Sequence, residues 1–122
     1  MSPQPTNDWY QFWNNSPDKG DDFLRQVGKT VGGKPISAEQ VQALVLDIVA
    51  RLQLNVSDDV LDLCCGNGFV TNRCSAFCRS LVGVDYSAPL IEVATTRLAR
   101  ENVRYLASNV CELPEDIFSQ RL

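Results

Sequence analysis

The stretch Asp59–Thr71, DVLDLCCGNGFVT, is the strongest indication of the fold in this sequence. Its first five residues are almost all apolar, which predicts a parallel strand covered on both faces, and the glycines after it predict a tight turn into a helix. A second apolar run, Ser80–Asp85, SLVGVD, ends in an acid 17 positions beyond Gly68. A glycine turn after one strand and a carboxylate at the end of the next are the layout of a βαβ nucleotide site.

The flanking segments continue the alternation of helices and strands. Ser37 followed by Gln40 is a capping-box pattern, and it opens a helix whose apolar stripe ends near residues 52–54. A further helix is predicted over Ala88–Glu101 and a third strand over Val103–Ala107. This order predicts an α/β fold in which right-handed crossovers place helices on both faces of a parallel sheet.

Composition excludes several classes of function. The chain has 122 residues and a formal net charge of −4, with no basic cluster interleaved with aromatics, so we expect no nucleic-acid partner. No apolar run approaches ~18 residues and no signal region opens the chain, so we expect no membrane partner and a cytoplasmic location. The five cysteines include no pair of C-x-x-C units and histidine is absent, so we expect reduced thiols and no metal site.

The first strand and its turn resemble the first motif of the S-adenosylmethionine-dependent methyltransferases, D-x-G-x-G-x-G. The resemblance implies that the loop Gly66–Asn67–Gly68 curls around the methionine half of S-adenosyl-L-methionine. It also implies that Asp62 holds loop amides and the methionine ammonium. Cys64 replaces the usual first glycine, so we expect an ordinary φ there. The alternatives are a plain tight turn and a carboxylate that caps local N–H groups.

Two later segments match the same family in the same order. A carboxylate accepts two hydrogen bonds from a ribose, which favours that role for Asp85 over a purely helix-capping acid. Tyr86 is expected against the adenine face, unless it is half-buried core. Ser108–Pro114, SNVCELP, resembles the family's G-D-A-x-x-L-P stretch, which implies that Asn109 accepts from the adenine amino group and that the Val110 N–H faces a ring nitrogen.

The resemblance implies a Rossmann-like fold in two parts. Residues 1–36 form a leader, with four aromatics in Asp8–Asn14, a short helical piece at Asp22–Val27 and an irregular loop at Gly28–Pro35. Residues 37–122 form a partial cofactor-binding domain. The family sheet has seven strands in the order 3-2-1-4-5-7-6, so we expect a sheet truncated after about three strands.

The expected function is the cofactor-binding portion of a methyltransferase that acts on an unidentified small molecule. No general base can be nominated, and Lys29, the tail of an incomplete P-loop pattern, is expected to leave cofactor affinity unchanged. The alternatives are a non-catalytic S-adenosylmethionine-binding or interaction module and an NAD-type dinucleotide-binding fragment. Without a fourth strand, Val60–Leu63 becomes an edge that can pair with a second copy in a homodimer, unless the leader covers it.

Overall fold

The computed structural model describes Asn14 and residues 22–118, so most of the aromatic run Asp8–Asn14 lies outside the described residues. In chain order the elements are α1 (Phe23–Gln26), β1 (Thr30–Val31), β2 (Lys34–Pro35), α2 (Ala38–Leu52), β3 (Asp59–Leu63), α3 (Phe69–Cys74), a 3-10 turn (Ser75–Phe77), β4 (Ser80–Asp85), α4 (Ala88–Arg97) and β5 (Val103–Ala107).

The central sheet is parallel, with the strand order β3-β4-β5. Its register pairs Leu63 with Val84 and Asp85 with Ala107, so the carboxyl ends of all three strands lie at one edge of the sheet. The predicted α/β fold is therefore confirmed. Among the described residues β3 pairs only with β4, which leaves its other side as an edge, and pairing with a second copy stays a prediction.

Helix α2 begins as its sequence predicts and packs on the sheet. Ser37 Oγ accepts from the Gln40 N–H at 3.1 Å, and Gln40 Oε1 accepts from the Ser37 N–H at 2.8 Å. The buried face of α2 packs against the end of α3 and the start of β4. The buried residues of this core are Val41, Val45, Cys74, Cys78 and Leu81. Two of the five cysteines thus serve as apolar core residues, and burial raises the pKa of Cys74 to about 11.

The loop predicted at Gly28–Pro35 is instead partly ordered as a short antiparallel hairpin, β1–β2. Gly32 and Gly33 connect the two strands with φ of 60° and 78°. Two successive positive φ values suit the right-handed twist of a two-residue hairpin, and glycine adopts them without strain. The prediction of an irregular loop was wrong because the glycine pair acts as a turn.

Helix α4 ends at Arg97, four residues before the predicted end at Glu101. The carbonyl of Leu98 accepts from Asn72 Nδ2 at 2.8 Å and from the Tyr105 hydroxyl at 3.2 Å. These two tertiary hydrogen bonds satisfy the Leu98 carbonyl at the end of the helix. The apolar periodicity of the sequence does not reveal them, which is why the predicted helix was too long. Across residues 22–118, the helices are all too short or too polar to cross a membrane.

Candidate functional site

A cavity of about 590 Å³ lies beside the carboxyl ends of β3 and β4 and extends along α2. Its volume falls within the ~300–1,000 Å³ typical of small-molecule sites. One end is apolar, with Leu44, Ile48 and Val60 on its wall. The other end carries six of the nine residues predicted from the sequence, which are Asp62, Cys64, Gly66, Asn67, Asp85 and Tyr86.

The two glycines of the β3–α3 loop have a left-handed backbone conformation, and other side chains fill the space beside them. Gly66 and Gly68 have φ of 61° and 78°. A Cβ at Gly68 would lie 2.7 Å from the Tyr105 ring, and one at Gly66 would lie 2.8 Å from Val27 Cγ1. The space beside each glycine is therefore filled by a side chain of the protein, not left open for a ligand.

Cys64 has a φ of 62°, in the left-handed region. The expectation of an ordinary φ was wrong. The chain needs a left-handed residue at this point to leave β3 and enter the loop, so the position keeps the conformation that a glycine adopts freely. The cysteine side chain is exposed at the cavity wall, which lets the protein accommodate it at a cost in backbone strain.

The side chain of Asn67 is fully buried and ties the glycine loop to α1. Its Nδ2 donates to Phe23 O at 2.9 Å and to Gln26 Oε1 at 3.0 Å, and its Oδ1 accepts from the Phe69 N–H at 3.1 Å. Because both Nδ2 donors are used inside the protein, Asn67 contributes to the cavity by fixing the loop. Gln26, equally buried, was missed by the sequence reasoning, since nothing local marks a partner 41 positions away.

Asp85 lies at the end of β4 and is 7% exposed. Its Oδ2 accepts from the Gly66 N–H and its Oδ1 from the Ser87 N–H, each at 2.9 Å. A carboxylate has about four acceptor positions, so one position on each oxygen remains for a further donor. Asp85 is thus a structural link between the two loops and still has the acceptors that a diol requires.

Asp62 projects from within β3 toward the same end of the cavity. Thr71 Oγ1 donates to its Oδ2 at 2.6 Å, and among the described residues its Oδ1 accepts no hydrogen bond. Burial raises the pKa of Asp62, the Thr71 hydroxyl opposes this effect, and the nearby negative charge of Asp85 adds to it. The Gly66 amide is held by Asp85, not by Asp62 as the sequence suggested.

Three predicted residues lie away from the cavity wall. Gly68 is buried beside the Tyr105 ring. Asn109 is exposed, and its Oδ1 accepts from the Cys111 N–H at 2.9 Å. Val110 packs against the core cluster that contains Val82. The structure therefore does not bring these side chains to the cavity, and the adenine contacts of Asn109 and Val110 stay predictions.

Tyr86 and Lys29 complete the polar end of the cavity. Tyr86 is 40% exposed and lines the cavity beside Asp85, and its contact with an adenine stays a prediction. Lys29 lines the cavity as well, although no local pattern predicts that it lies near the glycine loop. Within residues 22–118, no cluster of three or more cysteine or acidic side chains could hold a metal ion.

The family model described as methyltransferase domain matches residues 60–120, half of the chain. An uncharacterized methyltransferase of Schizosaccharomyces pombe is 45% identical over 58 residues, which cover 48% of this chain and 22% of that protein. A probable cobalt-precorrin-6B C(15)-methyltransferase (decarboxylating) of Methanocaldococcus jannaschii is 32% identical over 88 residues, which cover 72% of this chain and 43% of that protein. The matches thus span less than half the length of these relatives.

A solved structure shows the same fold. Phosphoethanolamine N-methyltransferase 1 of Haemonchus contortus, in complex with phosphoethanolamine and S-adenosylhomocysteine, matches with a TM-score of 0.62 and 22% identity. The match covers 85% of this chain and 21% of that chain. Together with the family match, this places the chain in the S-adenosylmethionine-dependent methyltransferase family, with its Rossmann-like fold.

Proposed function

We propose that this chain binds S-adenosylmethionine in the 590 Å³ cavity and forms the cofactor-binding portion of a methyltransferase that acts on a small molecule. The proposal is supported mainly by the hydrogen-bond geometry of the Asp85 carboxylate. Two backbone N–H groups fix this carboxylate at the strand end, and each of its oxygens keeps an acceptor position. Such a group is suited to the two hydroxyls of a ribose.

The charges around the loop also fit this cofactor. S-adenosylmethionine carries a sulfonium at its centre and an ammonium beside a carboxylate at its amino-acid end. The Asp62 carboxyl in the cavity has an oxygen without a partner among the described residues. A cation beside Asp62 compensates the cost of burying its charge. Asp62 and the ribose partner Asp85 would therefore hold opposite halves of the molecule.

When bound, the cofactor supplies an electrophilic methyl group on its sulfonium. The described residues contribute binding and orientation: Asp85 fixes the ribose, Asp62 the amino-acid end, and the buried Asn67 holds the loop between them. Alignment of an acceptor with the methyl carbon supplies much of the rate of such a transfer. No general base is assigned, and the acceptor is a small molecule of unspecified class.

The NAD-type alternative fits this loop less well. A dinucleotide places its pyrophosphate at the glycine loop and the helix N-terminus behind it. Here that phosphate would approach the carboxylate of Asp62, which lines the same cavity as Gly66. Repulsion between like charges disfavours a pyrophosphate and favours a cationic ligand end.

Titration calorimetry with S-adenosylhomocysteine and with NAD tests the proposal. We expect the wild type to bind S-adenosylhomocysteine more tightly than NAD. Asp85→Ala should weaken that binding by roughly 1.5–3 kcal/mol for each hydrogen bond lost to the ribose. Asp47→Ala, which removes an exposed carboxylate paired with Arg51 on α2, is the matched control and should change nothing.

Tighter binding of NAD, or equal affinities in the wild type and Asp85→Ala, would contradict the proposal. A second assay separates the methyltransferase from the non-catalytic binding module. S-adenosylhomocysteine release from S-adenosylmethionine should depend on an added small-molecule amine, hydroxyl or thiol acceptor. Cofactor binding without release in the presence of any acceptor favours the module.

A further inference from the structure

Lys29 occupies a fixed place between α1 and the β1–β2 hairpin. Its N–H donates to Leu24 O at 2.8 Å, and its carbonyl accepts from the Ile36 N–H at 3.0 Å. The backbone is therefore held on both sides of the residue. Lys29 is exposed and is one of the residues that line the cavity with Asp62 and Asp85.

The segment that carries Lys29 is joined directly to the glycine loop. Asn67 Nδ2 donates to Phe23 O and Gln26 Oε1, and Val27 Cγ1 lies 2.8 Å from the position of a Cβ at Gly66. These contacts bring residues 23–29 to the polar end of the cavity. Lys29 is therefore placed by tertiary packing beside the loop that would receive the cofactor.

Lys29 forms no ion pair with the acidic residues of this wall. Among the described residues that line the cavity, Lys29 is the single basic side chain, and the acidic ones are Asp62 and Asp85. The ion pairs Arg25–Asp22, Arg51–Asp47 and Arg79–Asp59 do not include Lys29. A ligand with a negative group would supply the missing partner.

The amino-acid end of S-adenosylmethionine is a zwitterion, with one ammonium and one carboxylate. In the proposed complex Asp62 binds the ammonium. A cationic donor at the same end of the cavity would bind the carboxylate more strongly than a neutral one. We infer that Lys29 binds this carboxylate, an inference that rests on the proposed function. It replaces the expectation from the sequence that Lys29 has no effect on cofactor affinity.

The test compares two ligands that differ in the amino-acid end. S-adenosylhomocysteine carries the carboxylate, whereas 5′-methylthioadenosine shares the adenosine and the thioether but has no amino-acid end. Lys29→Gln should raise the Kd for S-adenosylhomocysteine about tenfold and leave the Kd for 5′-methylthioadenosine unchanged. Lys34→Gln removes an exposed lysine of strand β2 that does not line the cavity, and is the matched control.

The outcomes separate the two proposals. An unchanged Kd for S-adenosylhomocysteine in Lys29→Gln overturns this inference and leaves the proposed function standing. An equal loss of affinity for both ligands also overturns it, because Lys29 would then act by supporting the fold. Failure of the wild type to bind S-adenosylhomocysteine overturns the proposed function, and this inference with it.

Discussion

Replacing Cys64 by glycine should stabilise the folded chain. Cys64 has a φ of 62°, and a left-handed conformation costs an L-residue roughly 1–2 kcal/mol. Glycine removes that strain but loses about 0.4–1 kcal/mol through the greater freedom of the unfolded chain. The cysteine side chain is exposed, so little buried surface is lost. The two effects differ by about 0 to 1.6 kcal/mol, so the free energy of unfolding should rise by about 0.8 kcal/mol.

Thermal unfolding measures this change. For a chain of this length, a gain of that size should raise Tm by about 2–5 °C. Cys111→Gly is the matched control, because Cys111 is also exposed and has no positive φ. It should lower Tm slightly, since only the entropic cost applies there. Cys64→Val should lower Tm more than Cys111→Gly does, because a β-branched side chain tolerates a positive φ poorly.

A Cys64→Gly variant no more stable than the wild type would contradict this prediction, provided that Cys111→Gly shows its small loss. So would a Cys64→Val variant with wild-type stability. Either result would mean that residue 64 does not hold the left-handed conformation in solution. The departure from the family's glycine would then carry no cost in stability.

Two further predictions concern the loop and its buried acid. Gly68→Ala should lose about 1–3 kcal/mol more stability in urea than Gly33→Ala. Both positions have a φ of 78°, but only at Gly68 would the new Cβ clash with the Tyr105 ring. Equal losses in the two variants would contradict this clash. Burial raises the pKa of Asp62 above its usual 3.8, so the folded chain retains a proton that the unfolded chain releases. The stability of the wild type, relative to that of Asp62→Asn, should therefore fall as pH rises from about 4 through the raised pKa. Urea midpoints that change in parallel in the two proteins between about pH 3.5 and 8 would contradict this prediction.

Local patterns predicted the elements that build the site. The bounds of β3 and β5 agree with the predicted strands, and the capping box of α2 begins at Ser37 as expected. Apolar runs, caps and glycine turns each act over a few residues, so a single sequence reveals them. Asp85 was also found in this way, because a strand end followed by a capped helix fixes where its carboxylate lies.

Contacts between distant segments could not be predicted. The Asn67–Gln26 hydrogen bond and the place of Lys29 depend on how α1 packs against the glycine loop. The filling of the space beside Gly68 by Tyr105 is of the same kind, since 37 positions separate the two residues. Such contacts follow from tertiary packing, which leaves no periodic pattern in the chain.

The most direct test of the central claim is to map S-adenosylhomocysteine on the full chain by amide chemical shifts. The N–H groups of Gly66 and Ser87 donate to Asp85, so a ribose bound to this carboxylate should perturb both of them strongly. The N–H groups of Asp58 and Asn102 lie near the amino ends of the strands and should stay unchanged. Shifts centred on Asp58 and Asn102, with none at Gly66 and Ser87, would contradict the claim that this cavity is the cofactor site.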